Sequence, residues 1–154
     1  MFRFLFLFFP VFFLSNILKV GKNENFKTIK EAVAAAKSGD SIFVYAGVYK
    51  EGNINITKPL SLIGIGRPVL DGEMKYEILS FRANNILLNG FKIINSGEDE
   101  IVNIGAIRLY DSQYSTIINN IFDNNYFGIY IQRGFRCLIQ NNKITSHRSK
   151  SQEG

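Results

Sequence analysis

The chain has 154 residues, 46% of them hydrophobic, a single cysteine and a formal net charge of +5. That length suits one domain with an apolar core, and it excludes a disulfide-stapled miniature fold because one cysteine closes no loop. Lys and Arg are scattered, without a basic stripe, so nucleic acid is not an expected partner.

Met1 to Leu14 carries one cation, Arg3, and then an apolar run rich in Phe and Leu that ends at Ser15-Asn16. This is the build of a secretory leader. Pro10 and the shortness of the run disfavour a stable membrane span. No small-x-small site marks a cut, so an uncleaved anchor stays open beside a cleaved signal. Residues 1–18 are assigned to the leader, and the rest of the chain is expected to be exported.

Thr28-Ile29-Lys30-Glu31 is a capping box, in which a hydroxyl and a carboxylate satisfy the orphan amides of a helix start. The helix is expected to run through Lys37, with Gly39 as its stop. Ser38-Gly39-Asp40 then turns into a strand over 42–45. An amphipathic helix ahead of repeated strands fits the polar-backed cap that a solenoid end requires.

Gly105 to Thr145 is one unit written twice. Ile107 falls on Ile129, Ile117 on Ile139 and Phe122 on Ile144, and the offset 141 − 119 = 22 brings Asn119-Asn120 onto Asn141-Asn142. A fixed period of this size, made of short alternating strands, is the mark of stacked coils. Going back, the slot of Asn119 and Asn141 is held by Gly90 and then by Gly64. Asn and Gly share tolerance of the left-handed conformation, so the four are predicted to form one stacked corner. Stacked Asn side chains at that corner would form a ladder. The rungs are read as 54–56, 60–62 and 68–70; 78–81, 86–88 and 91–93; 107–109, 116–118 and 121–123; and 128–131, 137–139 and 143–145. The fold class expected is all-β, a right-handed parallel β-helix over residues 27–147 with an N-terminal capping α-helix. Residues 148–154 form a polar tail. The pattern stops after Ile144 with no terminal cap, so the coil is expected to be incomplete at its C-terminal end and the native chain to continue.

Two groups of side chains invite chemistry. Asp71, Glu73, Glu98, Asp99 and Glu100 lie in loops that leave from equivalent corners. They would serve acid–base work on a glycosidic bond or hold calcium, or else they are simply solvated. Arg108, Tyr110, Tyr130 and Gln132 point outward if their apolar neighbours point inward, Arg108 under Tyr130 and Tyr110 under Gln132. Such a strip binds a sugar or a protein partner, or is an ordinary solvent face. No catalytic residue is assigned. Cys137, in register with Ser115, reads as a small core or corner residue, and His147, the weak metal candidate, makes no site alone.

The order of several motifs resembles NosD-type proteins: Thr28-Ile29-Lys30-Glu31-Ala32-Val33, Ser38-Gly39-Asp40-Ser41-Ile42, Gly47-Val48-Tyr49-Lys50-Glu51, Lys58-Pro59-Leu60, Pro68-Val69-Leu70-Asp71-Gly72 and Asn89 to Gly97, with the repeated Asn-Asn corners. The resemblance implies a pectin-lyase-like β-helix with carbohydrate-binding or sugar-hydrolase-type repeats, exported to the periplasm. It implies an accessory role in maturing nitrous oxide reductase, with an ABC-type ATPase and permease, toward assembly of a copper–sulfide centre. Copper enters by that association only, and no cofactor is evident in the chain. Family members are much longer, and no family metal ligand is placed here. The alternatives are a carbohydrate-active enzyme on the same fold, a polysaccharide lyase or glycoside hydrolase, and a carbohydrate-binding surface solenoid.

Overall fold

The computed structural model describes residues 15–99 and 104–146. In chain order it contains β1 (Ile17–Val20), α1 (Ile29–Ala35), β2 (Ser41–Tyr45), β3 (Val48–Tyr49), β4 (Ile54–Ile56), β5 (Ser61–Ile65), β6 (Val69–Asp71) and β7 (Leu79–Phe81). There follow β8 (Leu87–Asn89), β9 (Lys92–Ile94), β10 (Gly105–Tyr110), β11 (Thr116–Ile118), β12 (Ile121–Asp123), β13 (Phe127–Gln132), β14 (Leu138–Gln140) and β15 (Lys143–Thr145). β1 pairs in parallel with β2, and from β2 on each strand pairs in parallel with the third strand after it, one coil away, which gives three long sheets. Sheet A runs β1-β2-β5-β8-β11-β14, sheet B runs β3-β6-β9-β12-β15, and sheet C runs β4-β7-β10-β13. This is a right-handed parallel β-helix of about five turns.

Alternation explains the core. In β4 the pattern is Ile54 in, Asn55 out, Ile56 in, and the inward positions of successive strands stack: Ile54 on Leu79, Leu79 on Ile107, Ile107 on Ile129. The core is a column of Ile, Leu, Val and Phe, with Phe81, Phe91 and Phe122 its largest fully buried side chains. In the middle coils Leu109, Ile117 and Phe122 are 0% exposed, whereas their stacking partners Ile131, Ile139 and Ile144 are 44%, 41% and 56% exposed. Burial of a rung comes from both neighbours, so the last described coil has half of it.

The capping box is present in full, Thr28 accepting from the Glu31 amide and Glu31 reaching back to the Thr28 amide. Ile29, Ala32 and Val33 are buried, and the helix packs against β1, β2 and β4, the last being the edge strand of sheet C. Its end differs from expectation. The helix stops at Ala35 with Ala36 as an extended C-cap, and Lys58 Nζ closes it by donating to Ala36 O at 2.5 Å and Ala34 O at 3.4 Å. Gly39, at φ 90°, belongs to the turn beyond.

The coil also begins earlier than its repeats suggest. Ile17 and Leu18, placed in the leader, open β1, which pairs along its whole length with β2. Val48 and Tyr49 form β3, a strand the sequence showed only as part of a motif.

The corner register holds: Ile63, Asn89, Ile118 and Gln140 are partners, so Gly64, Gly90, Asn119 and Asn141 follow one above another. Gly90, Asn119 and Asn141 have φ of 86°, 57° and 55°. Gly64 does not; it continues β5, and the left-handed residues at that corner are Gly66 and Arg67. Glycine is needed at 64 for space, since a Cβ there would stand 2.6 Å from Gly90 O and 2.9 Å from Pro68 Cδ. The ladder is displaced by one residue too. The buried Asn120 and its partner Asn142 form it, with Phe91 N donating to Asn120 Oδ1 at 2.9 Å and Asn120 N to Asn142 Oδ1 at 2.9 Å. The turn after sheet B repeats the device through buried Asn125, which accepts from Ser96 N and donates to Ile93 O.

Candidate functional site

The outward positions of sheet C make two parallel columns along the helix axis. One holds Asn55, Ser80, Arg108 and Tyr130, paired strand to strand. In the other, Tyr110 lies beside Gln132, and Arg82, just beyond β7, continues toward Tyr110. The four strip residues expected from the sequence are therefore brought together. Arg108 lies between two rings, its guanidinium carbon 4.6 Å from the centroid of Tyr110 and 5.1 Å from that of Tyr130. Its Nη2 donates to Gln132 Oε1 at 2.7 Å. Arg82 stands 3.7 Å over the Tyr110 ring and donates through Nε to Asn55 Oδ1 at 3.0 Å. The result is an alternating ladder, Arg82, Tyr110, Arg108, Tyr130. Cation–π stacking holds each guanidinium flat, which fixes the plane of its N–H donors.

An acid that the sequence did not reveal completes the strip. Glu77 accepts from the Tyr110 hydroxyl at 3.2 Å on each carboxylate oxygen and from Ser80 Oγ. Ser80 Oγ accepts from Asn53 Nδ2 at 2.8 Å, and the same amide donates to Glu77 O at 3.0 Å. Burial raises the Tyr110 phenol above its ordinary range, and the Glu77 carboxylate adds to the effect. Tyr110 therefore stays a neutral donor at physiological pH. Asn55 and Ser80 were legible in principle as the polar middles of Ile-Asn-Ile and Leu-Ser-Phe. Glu77 was not, because it precedes β7 and reaches the strip only through the path of the loop. One carboxylate already held by two hydroxyl donors differs from the facing pair that glycoside hydrolysis uses.

Beyond Tyr130 the surface becomes aromatic. Phe127 is 39% exposed and packs edge-on against Tyr126, at 4.7 Å between centroids, and at 6.2 Å from Tyr130.

The acidic loops do leave from one corner: Met74 N donates to Asn95 O at 2.8 Å and Gly97 N to Tyr76 O at 2.9 Å. Asp71 and Glu73 both face Lys50, at 3.8 Å and 3.6 Å, and Asp71 also accepts from Asn95 Nδ2 at 3.0 Å. Glu98 and Asp99 are engaged in further interactions of their own. Among the described residues no three His, Cys, Asp or Glu side chains gather in a way that would hold a metal ion. Cys137 is partly buried against the core, and its thiol lies 3.5 Å from Ser112 O; His147 and Glu100 lie outside the described residues.

The profile of the family described as "Right handed beta helix region" matches residues 23–152. No curated protein matches the chain. Two crystal structures of the pectin methylesterase from Aspergillus niger, in deglycosylated and penultimately deglycosylated forms, are similar in fold at 17% and 16% identity, each with a TM-score of 0.38. Each match covers 88% of this chain and 61% of the esterase, so the chain spans less than two thirds of the length of these structures.

Proposed function

The chain belongs to the right-handed β-helix family, and on that premise we propose that it is an exported solenoid that binds an acidic glycan along the outward face of sheet C. The observation that carries this is the ladder Arg82, Tyr110, Arg108, Tyr130. Guanidinium groups held flat match planar carboxylate acceptors in two-point contact. Tyrosine offers a large, stiff surface with a polar tip. Strands repeat every ~4.8 Å along the axis, a spacing comparable with the length of one hexose residue. A linear polysaccharide lying along the axis would therefore meet a similar position on each coil. The test is binding of polygalacturonate, alginate and neutral dextran by the wild-type chain and by Arg108→Ala. Acidic polymers are expected to bind, dextran not, and Arg108→Ala to weaken binding about tenfold, the size of a charge-assisted contact. Equal binding of dextran, or an unchanged Arg108→Ala, would overturn the reading.

A second reading rests on the motif order shared with NosD-type proteins. In it the solenoid is a periplasmic accessory factor for nitrous oxide reductase, partnered by an ABC-type ATPase and permease, and copper is the partner's cargo. Deleting the gene would then leave the reductase exported but without its catalytic copper cluster. Normal reductase activity and copper content in the deletion strain would sink it.

A further inference from the structure

Where the strip reaches the first strand of sheet C it meets the cap helix. A helix is 10–12 Å across with its side chains, whereas strands lie about 4.8 Å apart, so a helix packed beside β4 makes a shoulder at the end of the strip. Between shoulder and strand lies a concavity of about 430 Å³, lined on the helix side by Lys30, Val33 and Ala34 and on the strand side by Asn53, Ile54, Asn55, Thr57 and Lys58. It is continuous with the strip through hydrogen bonds already formed. Asn55 Oδ1 accepts from Arg82, and Asn53 Nδ2 donates to Ser80.

The lining divides by chemistry. Ala34 presents a small exposed apolar patch beside Val33, side-chain amides and a hydroxyl stand opposite, and two lysines bound the space. Lys58 is committed to the helix carbonyls of Ala34 and Ala36. Lys30 is exposed and makes no ion pair among the described residues. Apolar patch, amides and an uncommitted ammonium match one sugar residue: its C–H face, its hydroxyls and an acidic substituent. We propose that this step is a terminal subsite, so that the protein reads the end of an acidic glycan chain and not an internal stretch of it. The inference rests on glycan binding along sheet C and adds that the helix closes the strip at one end.

Binding by the full chain of size-fractionated oligogalacturonates, short and long, tests it by titration calorimetry. Affinity per chain end is expected to be nearly independent of length once the strip is filled. Lys30→Ala, a surface change, is expected to weaken every oligomer about tenfold, one charge-assisted contact, while Lys30→Arg keeps most of the affinity. Stoichiometry is expected to count chain ends, one protein for each. Several proteins bound per long chain, with Lys30→Ala indistinguishable from wild type, would overturn the terminal subsite and leave the strip reading intact. Absence of any binding by wild type would instead remove the reading beneath it, and this inference with it.

Discussion

Asn119 and Asn120 are neighbours with identical side chains and opposite tasks, and substituting each in turn tests how the coils are held. Asn120 is 1% exposed. Its Oδ1 accepts from the Phe91 amide at 2.9 Å, and its Nδ2 donates to Leu88 O at 3.2 Å and Asn142 Oδ1 at 3.1 Å. Asn120→Ala removes all three. Leaving the buried Phe91 donor without its acceptor costs about 1–3 kcal/mol, and each of the other two bonds contributes roughly 0.5–1.5 kcal/mol. The expected loss is about 2–6 kcal/mol, a large share of the 5–15 kcal/mol typical of a folded domain (roughly, by). Asn119 is exposed, its side chain donates to Asn89 Oδ1 across the surface at 3.0 Å, and it sits at φ 57°. Asn119→Gly gives up that surface bond but relieves the left-handed backbone, so it should stay within about 0.5 kcal/mol of wild type. Urea denaturation measures both, and amide exchange at Phe91 reports the orphaned donor directly. Equal losses at the two positions, or a Phe91 amide as protected in Asn120→Ala as in wild type, would refute the reasoning.

Gly64→Ala places a Cβ 2.6 Å from Gly90 O and should cost about 1–3 kcal/mol by overpacking; an unshifted urea midpoint would mean the two coils have room to part. Glu51 accepts the Ile29 and Lys30 amides at 2.8 Å and 2.9 Å, fastening the start of the cap helix to the next coil. Glu51→Ala should therefore lose about 1 kcal/mol, with loss of helical circular dichroism preceding loss of the sheet signal. Hydrogen bonds from the Lys37 amide, then from the Asn16 amide, hold the Asp40 carboxyl below its usual range. A depressed folded value means the contribution is present above the unfolded pKa of about 4 and is lost as pH falls through the folded value. Stability of wild type should thus fall more steeply below about pH 4 than that of Asp40→Asn; parallel acid profiles would contradict this.

The sequence alone determined the coil, because in a parallel solenoid each slot faces the same slot one turn away and so selects the same kind of residue. Ile107 over Ile129 and Phe122 over Ile144 were readable for that reason. The cap helix was readable because a capping box is local, closed between Thr28 and Glu31. So were the strip residues Arg108, Tyr110, Tyr130 and Gln132, through simple alternation along β10 and β13. Tertiary structure decided what alternation leaves open. Strands of four and two residues, β1 and β3, have too little pattern of their own and exist through pairing with β2 and β6. Which asparagine of a pair turns inward depends on where the chain bends, and whether Gly64 serves conformation or space depends on the coil above it. Glu77 meets Tyr110 across 33 residues, a distance that closes only when the loop before β7 is folded, since a contact made by a loop residue follows the course of that loop and not the period of the strands.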